Sequence, residues 1–229
     1  MAKVLITGAN RGIGLEFARQ FASRGDRVFA AVRSIEKAEE LGQLEAKVSL
    51  VRLDVGDAAS IRAAGAQISQ QIDSLDLLIN NAAIHPNFGE ERVGQLDMQT
   101  GVDVMRVNAV GQVIVAQEFL PLLKKHGGKI VSITSGWGSV SGNEGSFPYW
   151  YAGSKAALNM MMRSVAGDVA AHGIVCVVVS PGWVKTDMGT DAAPLTTEQS
   201  VSGMMKLIDG LNKNDNGKFY DHNGSEVPW

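Results

Sequence analysis

The sequence has little cysteine, no long apolar run and no large excess of one charge. Cys176 is the single cysteine among 229 residues, so no internal disulfide can form and a reducing compartment, the cytoplasm, is expected. The 21 basic and 24 acidic side chains give a formal charge of -3. Nucleic acids and anionic membranes select clustered Lys and Arg, so neither is predicted as a partner. No apolar stretch approaches the ~20 residues that span a bilayer.

Short apolar runs alternate with longer amphipathic segments along the chain. The runs predict strands over residues 3–7, 27–32, 48–53, 75–80, 129–134 and 174–179, with a weaker seventh around 217–220. Runs without polar alternation are typical of parallel strands covered on both faces. The segments between them predict helices over 12–24, 35–41, 58–72, 102–125, 152–172 and 197–211. This order predicts an α/β fold: a Rossmann-type, doubly wound parallel sheet of about seven strands with helices on both faces, forming one domain over 1–229.

A glycine-rich loop follows the first predicted strand and opens the first helix. Glycines allow a sharp turn and a close approach of the backbone to a pyrophosphate, which the helix dipole then stabilises. The position after the first strand favours dinucleotide binding over the alternative of a tight packing turn. We therefore predict coenzyme contacts from Gly8, Asn10, Arg11, Gly12, Ile13 and Gly14.

The spacing Thr-Gly-x-x-x-Gly-x-Gly resembles the short-chain dehydrogenase/reductase family, and similar motifs extend as far as Thr186. The Asp-Val pair after the third strand matches residues that contact adenine in this family. The Asn-Asn-Ala-Ala run resembles a family motif in which the last residue is glycine, and Pro-Gly-Trp-Val-Lys-Thr resembles the segment that orients the nicotinamide. The resemblance implies coenzyme contacts from Asp54, Val55, Asn81, Ala82, Ala83, Pro181, Gly182, Val184 and Thr186.

The end of the second strand predicts which coenzyme is bound. NAD-binding Rossmann proteins place a carboxylate there for the ribose 2′-hydroxyl, but this strand ends Ala-Ala-Val-Arg-Ser. Arg33 could pair with a 2′-phosphate through its planar guanidinium, and Arg11 could approach the same group. These features predict NADPH, unless both arginines are ordinary surface residues.

Tyr151 and Lys155 are four residues apart, so a helix places them on one face. A nearby ammonium favours the phenolate, so Lys155 is predicted to lower the pKa of Tyr151 towards the range of efficient proton transfer. The alternative is an exposed surface pair. The family resemblance implies that Ser135 holds a substrate oxygen, that Asn108 helps to hold a water, and that Tyr151 and Lys155 also contact the coenzyme.

Several neighbouring residues leave alternatives open. Ser132 and Ser139 flank Ser135, whose separation from Tyr151 is longer than is usual in the family. Asn108 could instead be a solvated helix residue. Met160-Met161-Met162 predict either core packing or, by resemblance, the subunit interface of a homo-oligomer, dimer or tetramer. Five apolar residues near the reaction centre predict a pocket for a hydrophobic carbonyl compound, although some are expected in the core: Trp137, Phe147, Trp150, Trp183 and Met188.

Together these motifs resemble the C-factor and sniffer group of carbonyl reductases, and imply an NADPH-dependent enzyme that reduces a ketone, aldehyde or quinone. A non-catalytic coenzyme sensor on the same fold is an alternative, which the intact set of catalytic motifs argues against. A hydrolase is disfavoured because no Gly-x-Ser-x-Gly motif is present. The four histidines show neither a triad order nor metal-ligand spacing, so no metal is predicted.

Overall fold

A computed structural model describes residues 1–44, 48–85, 91–143, 145 and 148–229. Seven parallel strands form one sheet: β1 (Lys3–Thr7), β2 (Arg27–Val32), β3 (Val48–Arg52), β4 (Leu77–Asn80), β5 (Lys129–Ile133), β6 (Val175–Ser180) and β7 (Phe219–Asp221). Their spatial order is β3-β2-β1-β4-β5-β6-β7. The predicted Rossmann-type fold is confirmed, and the bounds of β1 and β2 agree with the prediction at both ends.

Seven α-helices accompany the sheet in the described part of the chain: α1 (Gly12–Ser23), α2 (Glu39–Gly42), α3 (Ala58–Ser69), α4 (Met98–Met105), α5 (Gly111–Leu123), α6 (Tyr149–Val169) and α7 (Thr197–Gly210). The helix predicted over 102–125 begins earlier, because the Asp97 carboxylate accepts a hydrogen bond from Thr100 N and caps α4. A π-helical turn, Arg106–Val110, then joins α4 to α5. The helix predicted from residue 152 begins at Tyr149, after Pro148, so Tyr151 lies in its first turn.

The core has two layers, one on each face of the sheet. Consecutive strand residues point to opposite faces, so Leu5 packs in one layer with Phe29 and Phe119, while Val4 packs in the other. Among the three consecutive methionines of α6, Met162 is in the core, whereas Met160 and Met161 are 65% and 36% exposed. None of the helices in the described ranges has the length and apolar character needed to cross a membrane.

Candidate active site

One elongated cavity of about 1230 Å³ lies at the carboxyl ends of the strands. The chain order of the sheet reverses between β1 and β4, and ligands of open α/β sheets bind at this kind of reversal. The glycine loop, the turn after β2 and the segments that follow β3, β4, β5 and β6 all line the cavity. We call the part formed by Arg11, Arg33 and Lys37 the cationic end, and the part formed by Ser135, Tyr151 and Lys155 the tyrosine end.

The glycine loop has no room for side chains at its central positions. Gly8 has φ +65, a left-handed conformation, and a Cβ built on it would lie 2.9 Å from Ala82 Cα. A Cβ on Gly14 would overlap the carbonyl oxygen of Gly8. Both approaches are closer than any normal contact, so the loop depends on glycine at these two positions.

Asn81 ties the glycine loop to the segment that follows β4. Its side-chain nitrogen donates to the carbonyl oxygens of Thr7 and Gly8 at 2.9 and 3.1 Å. In return, the Thr7 hydroxyl accepts hydrogen bonds from the backbone nitrogens of Asn81 and Ala82 at 3.0 and 3.1 Å. Asn81 and Ala82 line the cavity, and the Asn81 amide holds the loop in shape.

The cationic end contains residues that the motifs did not indicate. Arg11 and Arg33 line the cavity as predicted, together with Ser34 and Lys37. Lys37 lies four residues after Arg33, and this proximity in the chain could have indicated it as a further cation. Arg11 Nη1 donates to Asp187 Oδ2 at 2.8 Å, so an exposed ion pair links the glycine loop to the segment after β6.

The remaining coenzyme contacts predicted from the motifs line the same cavity, with the exception of Gly14. Asp54 and Val55 lie after β3, Ala83 lies after β4, and Pro181, Gly182, Val184 and Thr186 lie after β6. Asp54 also accepts a hydrogen bond from Gly56 N at 2.8 Å, so it stabilises its own turn. Asn10, Gly12 and Ile13 line the cavity as well, whereas Gly14 is packed behind the loop.

Tyr151 and Lys155 lie together at the tyrosine end, where Lys155 is buried and Tyr151 is partly buried. Lys155 Nζ donates to the carbonyl oxygen of Ile133 at 2.9 Å and lies 5.7 Å from the centroid of the Tyr151 ring. Burial lowers the pKa of Lys155 to about 7. Burial also raises the pKa of Tyr151 to about 12, although a hydrogen bond with Ser135 acts in the opposite direction. The predicted lowering of the Tyr151 pKa is therefore wrong for this structure, because desolvation of the phenolate is the largest cause of its shift.

The three candidate serines have different environments. Ser135 follows β5, lines the cavity and is hydrogen-bonded to Tyr151. Ser132 lies within β5, where it is buried and accepts a hydrogen bond from Asn80 at 3.3 Å. Ser139 donates to the carbonyl oxygen of Pro228 at 2.7 Å. Of the three, Ser135 alone can reach a molecule bound beside Tyr151.

Asn108 is fully buried in the π-helical turn and does not line the cavity. Its side chain accepts from Ile84 N and donates to Ile84 O, both at 2.8 Å. It also donates to the Ser154 hydroxyl at 3.1 Å. The alternative of a solvated helix residue is therefore wrong, and Asn108 fixes the segment after β4 against α6.

His85 is a neighbour of Tyr151 that the sequence reasoning missed. It follows Ile84, the residue held by Asn108, and its ring centroid is 4.6 Å from that of Tyr151. Its position two residues after the Asn-Asn-Ala-Ala motif could have indicated it. The aromatic pair adds to the burial of the phenol.

Three of the predicted substrate residues line the cavity: Trp137, Trp183 and Met188. The ring of Trp137 meets that of Tyr151 edge-on at 6.1 Å. The prediction for Trp150 is wrong, because its ring packs on Gly101 of α4, in a separate shallow groove with Met98 and Val102. Adjacent residues of a helix point about 100° apart, so Trp150 and Tyr151 cannot face the same site. Phe147 lies outside the described residues.

A glycine loop at the reversal of a doubly wound sheet, joined by one cavity to a tyrosine and a buried lysine, defines a dinucleotide-binding oxidoreductase. The sequence profile of the short chain dehydrogenase family matches residues 2–195. The chain therefore belongs to this family, as the motifs predicted.

Relatives with known names agree with this assignment. The chain is 40% identical over 156 residues to C-signal of Myxococcus xanthus, an alignment that covers 68% of this chain and 93% of that protein. NADPH-bound carbonyl reductase from chicken fatty liver is 34% identical, with a TM-score of 0.94 and coverage of 100% and 99% of the two chains. Carbonyl reductase Sniffer of D. melanogaster is 31% identical, with the same TM-score and full coverage of both chains.

Proposed function

We propose that this protein is an NADPH-dependent carbonyl reductase that reduces a ketone, aldehyde or quinone to an alcohol. The observation that carries the proposal is the placement of Tyr151, Ser135 and Lys155 in the same cavity as the glycine loop. The carbonyl reductases of chicken and D. melanogaster have nearly the same fold over the full chain.

The residues present fit an NADPH molecule. The glycine loop lines the cavity at the start of α1, a position that suits a pyrophosphate. Arg11, Arg33 and Lys37 line the cationic end and would receive a 2′-phosphate. The structures of the chicken enzyme and of a Burkholderia multivorans protein contain NADPH and NADP respectively, which supports the same choice for this chain.

The coenzyme, when bound, supplies the hydride that reduces the carbonyl carbon. The phenol of Tyr151 donates its proton to the carbonyl oxygen. Its high pKa keeps it protonated at neutral pH, as a proton donor requires. The Ser135 hydroxyl donates a hydrogen bond to the same oxygen and stabilises the charge that develops there.

In its protonated form, Lys155 would offset the charge left on Tyr151 after proton transfer. Its ammonium is directed into the cavity floor by the bond to Ile133 O, where it would also hold the ribose. Trp137, Trp183 and Met188 give the tyrosine end an apolar rim, which supports a hydrophobic substrate.

A cytoplasmic location and assembly into a homo-oligomer belong to the same proposal. The thiol of Cys176 is buried and forms no disulfide, which supports a reducing compartment.

The test is turnover of NADPH with a panel of ketones, aldehydes and quinones by wild-type protein, Tyr151→Phe and Tyr149→Phe. Tyr149 is exposed and lies two residues away on the same helix, so it is a matched control. We expect Tyr151→Phe to lose about 10²–10⁴-fold in turnover while binding NADPH normally, and Tyr149→Phe to remain active. NADPH binding by the wild type without turnover of any carbonyl compound would favour the alternative of a coenzyme sensor.

A further inference from the structure

A carboxylate stands next to the cationic end but outside the cavity. Glu36 lies between Ser34 and Lys37, both of which line the cavity, whereas Glu36 itself does not. Its Oε1 accepts from Arg52 Nη2 at 2.6 Å, and its Oε2 accepts from the Ser34 hydroxyl at 2.7 Å. Both carboxylate oxygens are therefore engaged, and the Arg52 partner lies outside the cavity.

Arg52 reaches this turn because of the register of the sheet. It is the last residue of β3 and pairs with Val32, the last residue of β2. The turn after β2 thus begins beside the Arg52 side chain. Arg52 Nη1 also donates to the carbonyl oxygen of Arg33 at 3.5 Å, so one guanidinium contacts both the backbone of a cavity residue and the carboxylate of Glu36.

The hydrogen bond from Ser34 and the pairing with Arg52 lower the pKa of Glu36 to about 2. Glu36 therefore carries a full negative charge at every physiological pH. Charges within about 10 Å of each other still interact at 0.1 M ionic strength, and Glu36 is within three residues of Arg33 and adjacent to Lys37. An anion bound by these two cations would meet an unpaired Glu36 carboxylate at close range.

We infer that Arg52 is a positioning residue for coenzyme selection, which acts by holding the Glu36 carboxylate away from the 2′-phosphate of NADPH. Without Arg52, the carboxylate would be free to turn towards the cavity. There it would repel a 2′-phosphate and would accept a hydrogen bond from the 2′-hydroxyl of NADH. The inference rests on the proposed preference for NADPH.

The experiment measures the Kd of NADPH and of NADH for wild type, Arg52→Ala, Glu36→Gln and the double variant. Arg62→Ala, on the exposed side of α3, removes an equal charge elsewhere, and Arg52→Lys keeps the charge at the site without the planar guanidinium. Because Arg52 and Glu36 are both exposed, with side chains 58% and 68% accessible, the variants are expected to fold, and thermal unfolding checks this.

We expect Arg52→Ala to weaken NADPH binding about threefold to tenfold and to leave NADH binding equal or tighter. Glu36→Gln should restore NADPH binding in the double variant to within about twofold of wild type, and Arg52→Lys should be intermediate. If Arg52→Ala weakens NADPH binding equally with and without Glu36→Gln, the inference alone is overturned, because Arg52 would then act only through its own charge. A wild-type protein that prefers NADH would instead overturn the proposed coenzyme, and the inference with it.

Discussion

At the tyrosine end of the cavity, Lys155 and the neighbouring Asn108 are buried and hydrogen-bonded, whereas at the cationic end the charged side chains are in contact with solvent. Lys155 and Asn108 are almost completely inaccessible. Arg11, Arg33 and Lys37 are exposed, and Arg11 is paired with an exposed acid. Buried polar groups are costly to leave without partners, while exposed ion pairs contribute little. We therefore expect single substitutions at the tyrosine end to have much larger effects than those at the cationic end.

The largest effect is expected for Lys155→Met, which keeps the length of the side chain and removes the charge. Loss of one stabilising group in a buried site typically reduces turnover ~10²–10³-fold, and we expect a loss of this size in steady-state rates with a carbonyl substrate. Lys206→Met, an exposed position on α7, is the control. A Lys155→Met protein with turnover like that of the control would remove Lys155 from the proposed mechanism.

The same variant tests the titration of the buried lysine in the coenzyme-free protein. Burial lowers the pKa of Lys155 from 10.5 to about 7, so between these values the unfolded chain binds the proton and the folded chain does not. The contribution of Lys155 to the free energy of unfolding therefore rises as pH increases through this range. Urea unfolding of wild type relative to Lys155→Met should show this rise between pH 7 and 9; a constant difference between the two proteins would contradict it.

A smaller effect is expected for Asn108→Ala. The substitution removes three hydrogen bonds and leaves the part-buried backbone groups of Ile84 without these partners, at a cost on the order of 2 kcal/mol of the free energy of unfolding. Chemical denaturation measures the loss. Asn159→Ala, which removes a single hydrogen bond to Gly138 O, should lower the free energy of unfolding clearly less. Equal losses in the two variants would show that the contact with Ile84 is not the source of the stability lost in Asn108→Ala.

At the cationic end, Arg33→Asp should weaken NADPH binding about tenfold, because a charge that attracts the 2′-phosphate is replaced by one that repels it. The Kd for NADPH divided by the Kd for NADH measures the change. In Arg33→Asp this ratio should be higher than in the wild type, and it should fall as ionic strength increases, because salt screens the repulsion. Arg62→Asp makes the same charge change away from the cavity. If Arg33→Asp and Arg62→Asp change the ratio of the Kd values equally, the change is caused by the net charge of the protein and not by the position of Arg33.

The smallest effect is expected for Asp187→Asn. Asp187 holds Arg11 in an exposed ion pair, and such pairs are worth about 0.2–1 kcal/mol. Release of Arg11 should tighten NADPH binding by about twofold at low salt and by less at high salt. Asp191→Asn, in the same segment and exposed, is the control. A tenfold change in the Kd of NADPH for Asp187→Asn would mean that this ion pair is stronger than an exposed pair. The expected difference in effect size between the tyrosine end and the cationic end would then be wrong.

The sequence predicted the parts of the site that depend on local geometry. The glycine loop and the four-residue spacing of Tyr151 and Lys155 were sufficient to locate the two ends of the cavity. Each of these features depends only on neighbouring residues in one turn or helix. Trp150 was misplaced because its direction depends on the packing of α6 against Gly101 of α4. The contacts of Asn108 and Arg52 could not be predicted, since they join residues that only the folded sheet brings together. The pKa of Tyr151 was misjudged because burial, unlike spacing, cannot be read from a motif.

The hydrogen bonds between Asn81 and Thr7 connect residues 74 positions apart in the chain. The glycine loop therefore cannot reach its final shape during folding until β4 has paired with β1. Contacts between distant segments form late and slowly, because a long loop must first be closed. In a refolding experiment, recovery of coenzyme binding would consequently report the completion of the centre of the sheet, later than the recovery of helical structure.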